Sequence, residues 1–303
     1  MLKRTLYFGN AAYLSFKDNQ LVVKTPDGTV KTAAIEDVGF VILDNSQITL
    51  SNVLLSALLE NNCAVISCDR THLPNGLFLP LSSNTLQSER FQAQINASLP
   101  LKKQLWQQTV QQKILNQAKV LQLKRNQPAK NMIAWANAVR SGDVENREAV
   151  AAAYYWKELF PHIENFTRDR YGVPPNNLLN YGYAILRGVV DRSLVASGLL
   201  PTLGIHHHNR YNAYCLADDM MEPYRPIVDK LIIEILDGIE EYPQQLTKEH
   251  KIALLKIPVL DVWIDGKRSP LMNAVSTTTT SLFRCYAGEL RKVVYPEVPD
   301  GTF

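Results

Sequence analysis

The 303-residue sequence predicts an α+β fold: a small β-rich N-terminal domain over 1–80, then a larger all-α domain over 86–303. Two observations predict it. Short runs rich in β-branched and aromatic residues, cut by turn signals, fill roughly the first 80 positions. From about Leu86 the apolar pattern turns helical almost to the end. A chain of this length buries one large core or two ordinary ones.

The expected strands are Thr5–Phe8, Tyr13–Phe16, Gln20–Thr25, Val30–Ile35, Phe40–Leu43 and Cys63–Ser67. Gly9-Asn10, Asp18-Asn19 and Pro26-Asp27-Gly28 supply the turn chemistry between them. One helix, Ser51 to Glu60, interrupts the series, with Ser51 as N-cap and Asn61-Asn62 as stop. Character changes across Leu81-Ser82-Ser83-Asn84. Helices are then expected over 86–96, 101–125, 129–140, 145–159, 176–197, 212–239, 246–255 and near 271–292. Pro128, Pro174-Pro175, Gly198 and Pro201 punctuate them, and Val259–Ile264 with Asp265-Gly266 suits a small hairpin.

Composition is that of a soluble globular protein, with 46% apolar and 20% charged residues. The formal net charge of +3 does not by itself imply DNA. Its distribution says more. From Phe91 through Gly142 there is no Asp or Glu, yet the stretch holds Lys102, Lys103, Lys113, Lys119, Lys124, Arg125, Lys130 and Arg140. That is either an electrostatic footprint for a polyanion or a solvated Gln/Lys-rich helical face. The cysteines, Cys63, Cys68, Cys215 and Cys285, form no CxxC pair and read as buried free thiols, which fits a reducing cytoplasm. The N-terminus is too short in apolar residues for a signal region, and no run of about 18 apolar residues predicts a membrane span.

Two stretches carry chemistry. Glu148, in Asn146-Arg147-Glu148, opens an alanine-rich helix, where the helix dipole alone would favour it. His206-His207-His208 follows Leu203-Gly204, as a source of metal ligands or a polar capping loop. Asp219 and Glu222, spaced i,i+3, fall on one face of the expected helix, where paired carboxylates repel unless a cation or arginine lies between them. One imidazole with two or three carboxylates suits Mg2+ or Mn2+ better than zinc, since no cysteine joins the set. Arg147, Arg210 and Arg225 lie close in sequence and can supply bidentate phosphate contacts. No Gly-rich nucleotide loop is present, so ATP is not implied.

The order Asn146-Arg147-Glu148, Leu203-Gly204-x-x-His207 and Asp219-x-Met221-Glu222-Pro223-Tyr224-Arg225-Pro226 resembles the CRISPR-associated spacer integrase family, in its type II, minimal II-C form. The resemblance spans the whole chain. It implies metal ligands at Glu148, His207 and Glu222, with Asp219 at a further acidic position near the metal. It favours His207 over His206 or His208. It also implies a homodimer formed through the β domain. Two such dimers would flank a small ferredoxin-like partner Cas protein in a heterohexamer on double-stranded DNA.

The expected activity is transesterification, joining the 3′-OH ends of a short duplex to the CRISPR repeat. Arg147, Arg210 and Arg225 would hold the phosphate, and Lys102, Lys103, Lys113, Lys124 and Arg125 would touch DNA backbone, only a subset of them at once. The alternatives are a structure-specific, metal-dependent endonuclease using water, and a non-catalytic DNA-binding scaffold.

Overall fold

In a computed structural model, residues 3–81, 84–126, 129–239 and 241–301 are described. The chain divides into two compact units, 1–87 and 88–303. Met1-Leu2, the linker residues Ser82 and Ser83, and the helix stop at Pro128 lie outside the described residues.

The first unit runs β1 (Arg4–Phe8), β2 (Ala12–Lys17), β3 (Gln20–Lys24), β4 (Val30–Ala34), β5 (Val38–Leu43), β6 (Ile48–Leu50), α1 (Asn52–Glu60), β7 (Ala64–Cys68) and β8 (Pro74–Phe78). These strands make two four-stranded sheets, ordered β1-β5-β7-β8 and β4-β3-β2-β6. β1, β5 and β7 pair in parallel, with Phe40 opposite Thr5 on one side and Ala64 on the other. β2 and β3 form a hairpin with Lys17 opposite Gln20. Its two-residue turn, Asp18-Asn19, has φ of 50° and 57°, the left-handed pair that matches strand twist. Ser51 caps α1 by accepting from the Leu54 N–H, and Asn62 at φ 53° ends it. Leu14, Leu21, Val41, Leu54, Leu58 and Val65 close one apolar core. Each such buried side chain contributes roughly 1.5–3 kcal/mol. Outward residues of this unit include Tyr13, Val30, Val53 and Phe78.

The second unit runs α2 (Gln87–Ile95), α3 (Leu99–Arg125), α4 (Lys130–Ala138), α5 (Arg147–Leu159), α6 (Asn176–Ala196), α7 (Cys215–Met221), α8 (Arg225–Ile235), α9 (Lys248–Leu254), β9 (Asp261–Ile264), β10 (Lys267–Pro270) and α10 (Leu271–Tyr286). It is mostly helical rather than all-α, because β9 and β10 pair as a hairpin through Asp265-Gly266, at φ 50° and 70°. α3 is its spine. Ser98 caps it, Asn126 at φ 49° ends it, and α4, α5, α8 and the Glu222–Tyr224 turn pack along it. α6 packs against α7, α8, α9 and α10. Among the described residues no helix is long and apolar enough to cross a membrane.

Two expected helices are corrected. The one over 212–239 breaks into α7, a 3-10 turn over Glu222–Tyr224, and α8. Pro223 and Pro226 lack the N–H groups that a continuous helix needs there. The one near 271–292 stops at Tyr286. Beyond it, Val294 donates its N–H to Ser281 Oγ instead of to a helical carbonyl.

Candidate metal and nucleic-acid site

Glu148 is placed by an unusual helix start. Asn146 takes φ 52° and makes no side-chain cap. Asp143 does the capping, accepting from the Arg147 N–H at 2.8 Å and the Glu148 N–H at 3.0 Å. The first turn of α5 is thereby fixed, and Glu148 projects to α3, where its Oε1 lies 2.6 Å from Lys113 Nζ. Its role therefore exceeds balancing the helix dipole.

His207 is placed from the opposite side. Asp219, fully buried on α7, accepts from the backbone N–H groups of Ile205, His206 and His207 at 2.7, 3.0 and 3.2 Å. Its Oδ1 also meets His207 Nδ1 at 2.5 Å. An ionised carboxylate only accepts, so Nδ1 carries the proton and the Nε2 lone pair is left for another partner. Gly204 makes this loop possible, since a Cβ there would sit 2.4 Å from the His207 carbonyl and 2.8 Å from Asp219 Oδ2. The hydrogen bond that the ring donates to Asp219 raises the His207 pKa above the ordinary value. Burial opposes the shift, and the charges of Glu222 and Glu148 reinforce it.

One neighbouring ring is committed elsewhere and the other is exposed. His206 stacks on buried Trp106 with centroids 4.1 Å apart and planes within 1°. Burial, then the His207 charge, lowers its pKa. His208 is exposed.

Glu222 lies in the 3-10 turn with its side chain 5% exposed. Oε2 is 2.6 Å from Lys113 Nζ and Oε1 is 3.1 Å from Arg225 Nη2. Burial favours the neutral acid, but Arg225 and Lys113 outweigh it and hold the carboxyl below the usual glutamate range. Burial likewise works against the Lys113 ammonium, yet Glu222 and Glu148 hold it above the usual lysine range. Asp219 and Glu222 thus do not share a cation. The helix break sends Asp219 to the histidine loop and Glu222 to Lys113.

Glu148 and Glu222 therefore converge on one cationic nitrogen, beside an imidazole whose free Nε2 is set by Asp219. Two carboxylates and one neutral imidazole suit a hard or borderline divalent cation. Among the described residues no three His, Cys, Asp or Glu side chains already stand close enough to enclose an ion. The donor chemistry fits, and the Lys113 ammonium stands where the two carboxylates meet.

The other expected residues divide. Arg225 is at the site, its guanidinium 4.9 Å over the Tyr183 ring. Arg147 turns to Glu145, with Nη2 2.7 Å from Oε2. Arg210 lies 4.7 Å over the exposed Tyr211 ring on the loop after His207. Near the start of α3 Lys102 is half-buried and Lys103 is exposed, and among the described residues neither pairs with an acid. The rest of the acid-free stretch is largely committed within the fold. Lys124 pairs with Glu234, Arg125 donates to the Leu159 carbonyl, and Lys119 pairs with Asp300. Lys113, also expected on DNA backbone, turns instead to Glu148 and Glu222, a pairing that spacing did not reveal. It lies 35 positions from Glu148, and only the packing of α3 against α5 and the 3-10 turn reveals it.

Known proteins resemble this chain in sequence and in fold. The family described as CRISPR associated protein Cas1 matches residues 6–258. The CRISPR-associated endonuclease Cas1 of Neisseria meningitidis serogroup C (strain 8013) is 42% identical over 282 residues, covering 93% of this chain and 91% of the relative. A casposase bound to its integration product superposes with a TM-score of 0.79 at 19% identity, covering 97% of this chain and 92% of that one. A Cas6-RT-Cas1–Cas2 complex superposes with a TM-score of 0.73 at 21% identity, covering 95% of this chain and 35% of that one.

Proposed function

This chain belongs to the Cas1 family of CRISPR-associated proteins, and we propose that it acts in CRISPR adaptation as a metal-dependent DNA integrase. The observation that carries the chemistry is the convergence of Glu148 and Glu222 on one cation beside the oriented His207. Glu148, Glu222 and His207 Nε2 would hold Mg2+ or Mn2+. When bound, such an ion supplies Lewis acidity to a phosphodiester oxygen and offsets charge building on the attacking and leaving oxygens.

The remaining work falls to the chain's own groups. Asp219 keeps His207 in one tautomer and one orientation. Arg225 holds Glu222 through Oε1, while the other oxygen faces Lys113. Arg210, on its exposed loop, is the arginine best placed to meet an incoming phosphate, and Arg147 would join it on leaving Glu145. Lys102 and Lys103 would add sequence-independent backbone attraction, which falls with salt. The reaction is a transesterification. The 3′-hydroxyl oxygen of an incoming duplex bonds to a repeat-boundary phosphorus, the bond to the leaving 3′-oxygen breaks, and a proton passes from the attacking to the leaving oxygen.

Assembly follows the same reading. The outward apolar residues of the first unit support a homodimer formed through it. The Cas1–Cas2 complex among the similar structures supports pairing with a small ferredoxin-like Cas partner, in a heterohexamer on double-stranded DNA. All of this would take place in the cytoplasm. The name endonuclease carried by the Neisseria relative keeps a hydrolytic reading in view, with water as nucleophile at the same site. The test is strand transfer of a duplex with free 3′-OH ends against the same duplex with blocked 3′ ends, with and without the small partner. Product from the free ends alone supports integration, and equal cleavage of the target with either duplex supports hydrolysis.

A further inference from the structure

Lys113 is a cation held at the point where two proposed metal ligands converge. Its Nζ is 2.6 Å from Glu148 Oε1 and 2.6 Å from Glu222 Oε2, and its side chain is only 12% exposed. Arg225 already neutralises Glu222 through the other oxygen. The cluster thus contains two carboxylates and two cations and is balanced in charge. A divalent ion taking both carboxylates would add two positive charges within a few ångströms of the ammonium. Repulsion at that range, in a partly dry site, is too large for all the cations to keep their places. The two resident cations are not equally able to leave. Arg225 has a rigid planar fork lying on the Tyr183 ring. Lys113 has a flexible four-carbon stem and a compact head.

We propose that Lys113 is an exchangeable internal counter-cation, which a divalent ion must displace from Glu148 and Glu222 and which then becomes a phosphate-facing charge for bound DNA. This rests on the metal-holding role given above to Glu148, His207 and Glu222. Lys113 is a positioning residue in this scheme, since it acts through the two carboxylates. Two consequences distinguish it from a structural ion pair. Removing the ammonium removes the ion's competitor, so ion affinity rises. A polyanion that receives the displaced ammonium favours ion loading, so DNA and ion binding are positively coupled through this residue, and the coupling is reciprocal.

The experiment measures Mn2+ affinity of the full chain by electron paramagnetic resonance and by titration calorimetry, with and without a short duplex. Wild type is compared with Lys113→Met, Lys113→Gln and Lys113→Arg, and thermal midpoints are recorded in chelator and in Mn2+. Lys113→Met should bind Mn2+ at least about tenfold more tightly than wild type, a gain of about 1.4 kcal/mol. It should melt earlier than wild type in chelator and recover in Mn2+, and it should lose most of the tightening that DNA gives the wild type. Lys113→Gln should follow it, and it carries the test if the methionine variant does not fold. Lys113→Arg should stay close to wild type. Saturable Mn2+ binding within twofold of wild type, or weaker, in both neutral variants overturns the Lys113 role alone. The absence of Mn2+ binding from wild type and every variant overturns the metal reading and this role together.

Discussion

Asp219 and His207 form one unit. The fully buried carboxylate accepts the ring Nδ1–H at 2.5 Å and the backbone N–H of the same histidine at 3.2 Å. Asp219 is therefore the group that orients a ligand, and its own oxygens are spent on the 205–207 loop. Replacing it tests this division of labour. Asp219→Ala leaves three N–H groups without this acceptor, and the buried one of Ile205 alone costs roughly 1–3 kcal/mol before relaxation. Asp219→Asn keeps the shape and removes the charge. The His207 ring should then titrate at lower pH than in wild type, as followed by NMR, and strand transfer should drop by at least about tenfold. A His207 titration unchanged by Asp219→Asn would contradict the assignment.

His206 and His207 should separate cleanly. His206 stacks on Trp106, whereas His207 offers its free Nε2. His207→Ala should abolish strand transfer with the fold intact, and His206→Ala should reduce it only a few-fold. Circular dichroism and strand-transfer rates on both variants make the comparison. A dead His206→Ala beside an active His207→Ala would place the ligand on the wrong ring.

Glu148→Ala and Glu222→Ala should both abolish activity but differ in stability. Glu222 has a 5% exposed side chain and touches Lys113 and Arg225, so its loss takes the acid from Arg225 and leaves Lys113 with Glu148 alone. Breaking a buried pair in this way costs about 3–5 kcal/mol. Glu148 is 21% exposed at its side chain and its loss leaves Lys113 with Glu222, so the cost should be smaller. Urea unfolding in chelator reads the order. Glu148→Ala being the less stable of the two would contradict it.

Asp229 predicts a pH dependence. It is buried, accepts from Tyr155 at 2.9 Å and Tyr183 at 2.6 Å, and has its pKa pushed up to about 7. Burial is the main cause, partly offset by the two tyrosine hydrogen bonds. The folded value lies above the unfolded one, so the folded state binds this proton more tightly. The stabilisation is complete below about pH 4, and is lost as pH rises to about 7, amounting to a few kcal/mol at most. Asp229→Asn should make the melting temperature fall less between pH 5 and pH 8 than in wild type. Parallel curves for the two proteins would rule the effect out.

The lysines of α3 should differ in their effect on DNA. Lys102 and Lys103 pair with no acid among the described residues, whereas Lys124 holds Glu234. Reversing Lys102 and Lys103 to Glu should weaken binding to every duplex about equally. It should also flatten the log-log salt dependence by about one unit for each phosphate no longer neutralised. Lys124→Gln should leave that slope unchanged. The reverse pattern would move the DNA path to the other end of α3.

Local chemistry explains what was legible in the sequence. Asp18-Asn19 and Asp265-Gly266 specify left-handed turns, Ser51 offers a cap, and alternation fixes Leu14 inward and Tyr13 outward. β6 and β8 were not legible. Ile48–Leu50 is too short to show a period, and Pro74-Asn75-Gly76 reads as a turn. Spacing put Asp219 and Glu222 on one helical face, but Pro223 and Pro226 broke that helix and parted their roles. Lys113 left no local signal, because its chemistry comes from three elements meeting in space. Glu148, His207 and Glu222 were found through the resemblance of their motifs, and the chain's own geometry then explains how each is positioned.

The most direct test of the central claim is strand transfer with a free 3′-OH duplex by the purified full chain with its small Cas partner, in Mg2+ or Mn2+ and then in chelator. Wild type should yield a covalent joint between duplex and repeat in either metal and none in chelator. Glu148→Ala, His207→Ala and Glu222→Ala should yield none in any condition while still binding DNA. Undiminished joining in chelator, or by any of those three variants, would contradict the account.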